Sequence, residues 1–210
     1  MAIADSTART GFEGKVLAIN DGCYLASRSK FHLLTTLQHV MMSLSSLFIA
    51  TPNPKHKFMV RGGIAFGPVY SKVELQACFS RKFLSKHQLF LDQVLFGPPI
   101  IQAYLSESAA VPFGIAVHES ARAFAGPGET PFSLNHWFWW QKQDGIPNPP
   151  GTPPLGNLAT VLRIDLCDHL DWMAETNLFN GLPIDKIKQW QKATLQYFAS
   201  TTKLAEHSQK

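Results

Sequence analysis

Lys15-Val-Leu-Ala-Ile-Asn-Asp21-Gly22 is a short β-forming run that ends in a turn carrying one carboxylate. Val16 to Ile19 on one side and Cys23 to Ala26 on the other are apolar enough to pair as strands. Asn20-Asp21-Gly22 between them supplies the positive φ that a tight hairpin turn requires. The stretch therefore predicts a β-hairpin near the start of the sequence, with Asp21 fixed at a sheet edge. That position suits a metal ligand, and it equally suits a plain turn aspartate.

Downstream of the hairpin, Phe31, Leu33, Leu34, Leu37, Val40, Met41, Leu44, Leu47 and Phe48 recur at helical spacing and predict an amphipathic helix. Thr51-Pro-Asn-Pro-Lys-His ends it, because proline cannot continue a helix. Lys57 to Tyr70 reads as strand, Gly-Gly, strand, with Phe58 and Val60 alternating before the glycines and Ile64 and Phe66 after. Residues 71–95 mix β-formers with basic residues and read as a hairpin arm. Gly97-Pro98-Pro99 opens a helix that continues from Ile100 to Ala110, with proline in its first turn. Phe113 to His118 is a short strand and Glu119 to Ala125 a helical turn. From Gly126 to Asn157 a proline loop lies against Trp137-Phe138-Trp139-Trp140. Leu158 to Leu166 then reads as strand and Ile184 to Phe198 as a final amphipathic helix. The order predicts an α/β sandwich, α+β in type, with helices packed on a mostly antiparallel sheet.

At 210 residues the chain fits a single domain able to bury a core without staples. Within residues 1–210 we distinguish a core at 12–125, the proline and aromatic loop at 126–157, and a strand and helix at 158–210. The composition is 45% hydrophobic and 16% charged, with no run of about 20 apolar residues evident in the sequence. No basic segment followed by an apolar one marks a signal peptide. Cys23, Cys78 and Cys167 are few, odd in number and far apart, which argues against a disulfide framework or a zinc site. A reducing cytoplasm is the expected setting, with no membrane partner. The net charge of +4 comes from scattered basic residues. It favours a small anionic ligand over nucleic acid.

Three stretches together resemble the catalytic domain of class III nucleotide cyclases, and more closely the stand-alone bacterial cyclases that make cyclic pyrimidine mononucleotides in the Pycsar antiphage system. Lys15-Val-Leu-Ala-Ile-Asn-Asp21 is similar to the cyclase hairpin in which a base-contacting position precedes a metal-binding aspartate by six residues. Val60-Arg61-Gly62-Gly63-Ile64-Ala65-Phe66-Gly67 resembles the stand-alone group's Arg-Gly-Gly-Ile-x-x-Gly signature. Phe96-Gly97-Pro98-Pro99-Ile100-Ile101-Gln102-Ala103-Tyr104-Leu105-Ser106-Glu107 resembles its Gly-Pro-x-x-x-x-Ala-Tyr-x-x-Glu helix start. The likeness covers about residues 12–125, a little over half of the chain.

The resemblance implies a ferredoxin-like cyclase fold and a head-to-tail homodimer with shared sites. It implies attack of a ribose 3′-hydroxyl on the α-phosphate of UTP, or as second choice CTP, with diphosphate leaving. The cyclic product would be a second messenger in antiviral defence, read by a separate effector. Two divalent ions, Mn²⁺ or Mg²⁺, would serve each site. Asp21 matches the second metal-binding aspartate. The first belongs to a central strand reached through a crossover, and only nine residues separate Asp5 from Lys15, too few for such a connection. We therefore expect the native start codon to lie upstream of Met1. Upstream in-frame sequence with an apolar strand ending in Asp would support this, and an immediate in-frame stop codon would contradict it.

Lys15 sits where adenylate-forming relatives read the base, or is a solvated strand residue. Arg61, beside two glycines that allow close backbone approach, is a candidate contact to base or phosphate, or else a salt-bridged strand-edge arginine. Gly97 would present helix N–H groups to phosphate or ribose. The asparagine and arginine of long-chain class III cyclases fall at Ile101 and Leu105, which cannot hydrogen-bond a ribose or a phosphate. No catalytic residue is therefore assigned, and a partner subunit is one source of the missing group. Glu107 reads as structural. Asp165, Asp168 and Asp171 read as a solvated or capping face near a strand end. The tryptophan patch reads as a core anchor, a dimer contact or a base-stacking surface. The alternative to an enzyme is a catalytically inactive cyclase-like domain, acting as a nucleotide sensor or structural partner.

Overall fold

Lys15–Ile19 (β1) and Gly22–Ala26 (β2) pair antiparallel as expected, in a register that runs from Lys15 opposite Ala26 to Ile19 opposite Gly22. The computed structural model describes residues 2–19, 22–72, 94–142, 154–176 and 182–207. The hairpin's two connecting residues, Asp21 among them, lie outside that set, as do Cys78 and Pro147 to Pro153. Before the hairpin stands a helix that the sequence did not announce, Ala2–Arg9 (α1). It carries Asp5 in an exposed i,i+4 ion pair with Arg9 at 2.9 Å.

Lys30–Ala50 (α2) begins at Ser29, whose side chain accepts from the His32 N–H at 3.3 Å, and ends at Thr51, one residue before Pro52. Its buried residues, from Leu34 and Thr36 through Met41, Met42 and Phe48, fall on several faces of the helix. α1 covers one side, where the hydroxyls of Thr10 and Thr36 meet at 2.7 Å. By length and composition α2 could cross a membrane, which corrects the expectation that no segment could; half of its apolar window is buried inside the protein. Here it is a core helix.

Past a 3₁₀ turn at Pro54–His56, Gly62–Ile64 (β3) is the only part of the 57–70 segment that forms a strand before its end. The expected strand through Phe58 and Val60 is absent, and Phe66 lies beyond β3. Backbone pairing begins where the Phe113 N–H reaches the Val60 carbonyl at 2.6 Å and continues where Gly62 N–H reaches the Gly114 carbonyl at 3.0 Å. Tyr70–Ser71 (β4) and Leu95–Phe96 (β5) pair antiparallel, and the expected hairpin arm between them falls on residues 73–93, outside the described set. Pro98–Glu107 (α3) then crosses over to Ile115–Val117 (β6), which pairs parallel with β3. After the short helix Glu119–Ala123 (α4), His136–Trp137 (β7) pairs antiparallel with β6.

Leu155–Thr176 (α5) and Ile184–His207 (α6) pack on each other, and α5 also packs on α2. The first of these corrects the expected strand at Leu158–Leu166. Thr160, Val161 and Ile164 are β-branched and mimic a strand locally, yet all three are exposed. The buried residues Leu158, Leu162, Leu166 and Leu170 recur every four positions, which is a helical stripe.

The chain is thus a mixed α/β protein in which 54% of the described residues are helical. Among the described residues the strands form three small sheets, ordered β1-β2, β3-β6-β7 and β4-β5, and not one continuous mostly antiparallel sheet. Strands of two or three residues bury too little side chain to carry a sheet by themselves. The main core therefore lies among α2, β6, the tryptophans and the two C-terminal helices.

Candidate functional site

Two of the glycine-containing motifs meet along the length of α3. A side chain on Gly63 would overlap the Ala103 carbonyl, and one on Gly67 would come within 2.9 Å of Pro99. One on Gly97 would overlap the Pro68 carbonyl. The contacts step by four residues in each direction, 63 with 103 and 67 with 99, so the chain from β3 onward runs antiparallel to α3 at backbone distance. Gly97 and Gly67 have φ of 145° and 151°, which an L side chain rarely adopts. These glycines are explained by packing before any ligand is invoked.

Arg61 enters this junction beside the last residue of α3. Its Nη2 lies 2.9 Å from Glu107 Oε1, with the two side chains 29% and 31% exposed. Its guanidinium stands 5.7 Å from the Trp190 ring centroid, and Lys186 Nζ approaches the same ring at 5.3 Å. Two cations and one carboxylate thus converge on an indole from α6. A pair this exposed contributes little to stability, so its larger effect is to fix the direction of the guanidinium.

The hairpin reaches the same region through Tyr24. Burial makes this phenol harder to ionise, raising its pKa, and the charges of Tyr104 and Glu107 push it further in the same direction. β2 and α3 are therefore in electrostatic reach of one another. The remaining candidate residues are spread apart. Lys15 is exposed at the end of β1 away from the turn, about 14 Å from it at the usual strand rise. Gly97 caps the opposite end of α3 from Glu107, about 15 Å away by helical rise. Arg61 and Gly97 therefore do not share one contact cluster.

A two-ion centre needs a set of converging carboxylates. Among the described residues no group of three or more His, Cys, Asp and Glu side chains could hold a metal. Asp5 is held by Arg9 on α1. The described side chains do not fit the pair of ions that the resemblance implies, and Asp21 lies outside them. Ile101 and Leu105 are 64% and 60% exposed, with Tyr104 at 63%, so α3 turns an apolar face outward.

Two further expectations change. Trp137, Trp139 and Trp140 are 4%, 0% and 3% exposed, which makes the patch a core anchor and removes the base-stacking reading. The three aspartates lie on helix α5 and not near a strand end. Asp165 pairs with Lys57, Asp171 accepts from Gln191 at 2.5 Å, and Asp168 is exposed. Trp190 and Tyr24 were not singled out in the sequence. Trp190 reads there only as part of an apolar helical stripe; Lys186 lies one turn before it on α6, while Arg61 comes from a distant part of the chain. Comparison of the chain with known families, curated proteins and solved structures found no match in any of the three.

Proposed function

We propose that the chain is a class III-like pyrimidine nucleotide cyclase, converting UTP, or second CTP, to the 3′,5′-cyclic monophosphate and diphosphate. What supports this reading is the way Arg61-to-Gly67 lies antiparallel on Gly97-to-Glu107 at backbone distance. Segments that resemble two separate signatures thus form one packed unit. In the reaction, the 3′-oxygen forms a bond to the α-phosphorus and the bond to the bridging oxygen of diphosphate breaks. The hydroxyl proton leaves to solvent. Arg61 is the group assigned to the anionic substrate, with Lys15 and Gly97 as the further nucleotide contacts and Asp21 as metal ligand.

On this reading the enzyme is a cytoplasmic homodimer with shared sites and a ferredoxin-like cyclase core. It requires Mn²⁺ or Mg²⁺, and its product acts as an antiviral messenger on a separate effector. The second reading, a nucleotide-binding domain without turnover, is favoured by the lack of converging carboxylates among the described residues. One experiment separates the two. Purified protein is incubated with each of the four ribonucleoside triphosphates and Mn²⁺, and cyclic products are sought by mass spectrometry alongside equilibrium binding. Cyclic UMP or CMP formation that falls to background in Asp21→Ala, with an unchanged melting temperature, supports the enzyme. Binding without product supports the sensor. Neither binding nor product rejects both.

A further inference from the structure

Lys57 turns inward at the end of the 3₁₀ turn. Its side chain is 8% exposed, its ammonium lies 4.4 Å from the Phe48 ring centroid on α2, and it pairs with Asp165 on α5. One helical turn further along α5, His169 is 4% exposed and its Nδ1 is buried with no hydrogen-bond partner. The imidazole stands edge-on to Phe48 at 5.5 Å and stacks on Trp172 at 5.6 Å, with 17° between the planes. Met59, two residues past Lys57, packs against both core clusters, and the second of these contains Leu170, Met173 and Ile187. The segment that begins at Lys57 leads directly to Arg61 and β3.

We propose that His169, with the Lys57–Asp165 pair, is a proton-sensitive latch that holds the 57–61 segment against α2 and α5. With His169 neutral, Asp165 serves Lys57 alone and the imidazole acts as an aromatic plate between Phe48 and Trp172. A proton added to the ring puts a second cation beside Lys57, with one carboxylate for both. Buried N–H groups without acceptors and buried unpaired charge are costly. The relief is for the 57–61 segment to swing away and admit water, which releases Arg61 from its place beside Glu107 and Trp190.

The charges that act on the ring are Lys57, from the segment, and Asp165, from its own helix. Phe48 on α2 and Trp172 on α5 bring none. Burial, and then Lys57, lower the basicity of His169, while Asp165 partly opposes them. A histidine whose folded-state value is depressed holds its stabilising contribution at high pH. That contribution is lost as pH falls below the ordinary value of about 6.5 and on toward the folded-state value.

The test uses the full-length chain and needs no ligand. Amide hydrogen-exchange protection is measured from about pH 7.5 to about pH 5, the range of histidine titration, with intrinsic exchange corrected at each pH. Gly62, bonded to the Gly114 carbonyl, should lose protection several-fold more than Leu162 and Leu166 inside α5. Indole emission should fall over the same range, because an imidazolium stacked on Trp172 quenches it, and the fall should vanish in Trp172→Phe. In His169→Gln both pH responses should flatten. Equal loss of protection at Gly62 and in α5 would overturn the latch, as would an unchanged emission in the wild-type protein. The wild-type measurements decide the matter even where a His169 variant does not fold.

Discussion

Phe113 holds a backbone φ of 57°, a left-handed conformation that is rare for a bulky residue. Three contacts keep it there: its fully buried ring meets Phe48 edge-on at 5.2 Å, its N–H reaches the Val60 carbonyl at 2.6 Å, and its carbonyl accepts the Trp139 indole N–H at 2.9 Å. Gly63 is the complementary case, a residue whose lack of a side chain lets β3 touch α3. We expect Gly63→Ala to lower stability by about 1–3 kcal/mol, the usual cost of overpacking a site that cannot move, as read from chemical denaturation. Tyr197 shows a third kind of constraint. Its hydroxyl donates to the Trp137 carbonyl at 2.8 Å and accepts from Ile115 N–H at 3.3 Å, and those two residues are cross-strand partners of β6 and β7. Burial pushes this phenol's proton affinity far upward, so it stays a neutral donor. Tyr197→Phe leaves both backbone groups without that partner and should cost about 1–3 kcal/mol. The sequence did show Gly63, through its motif, but gave no sign of the positive φ at Phe113. That conformation is set by contacts to residues far away in the chain.

At the scale of elements, legibility followed the length of the repeating pattern. α2 and α6 were readable because their apolar spacing persists for many turns, and α2 also has a serine cap and a proline stop. The β1–β2 hairpin was readable from the apolar runs on either side of its connection. α5 is hidden within Leu158 to Leu166, where Thr160, Val161 and Ile164 give the run a local strand character. Extending the window to Leu170 and Met173 exposes the helical stripe. Leu166 is fully buried at the centre of that stripe, so Leu166→Ala should cost about 2–5 kcal/mol. Ile164→Ala, on the exposed side, should stay within about 0.5 kcal/mol. In a strand Ile164 and Leu166 would share one face, so the contrast between the two variants in thermal melts separates helix from strand. The candidate site was legible in its motifs and not in its geometry. Nothing local to Arg61 reveals that Glu107 and Trp190 flank it.

At the scale of the whole fold, the described residues replace the expected single sheet with three small ones, and helices do most of the enclosing. An isolated two-stranded hairpin is marginal in water. Val16 and Ile19, on β1, are 45% and 42% exposed. The proton latch belongs to this scale too, since it links α2, α5 and the segment entering β3. The bridge made by Tyr197 has a consequence for how the protein is born. Tyr197 lies 60 residues after Trp137 and 82 after Ile115. At an elongation rate of ~5–20 residues per second, a ribosome needs roughly 3–12 s to travel from Trp137 to Tyr197. During that interval β6 and β7 are made but the phenol between them is still unwritten, and the tryptophans lack the Tyr197 and Phe198 rings that cover them. The nascent chain therefore waits with its aromatic core open, and a chaperone that recognises exposed aromatic surface has those seconds in which to bind.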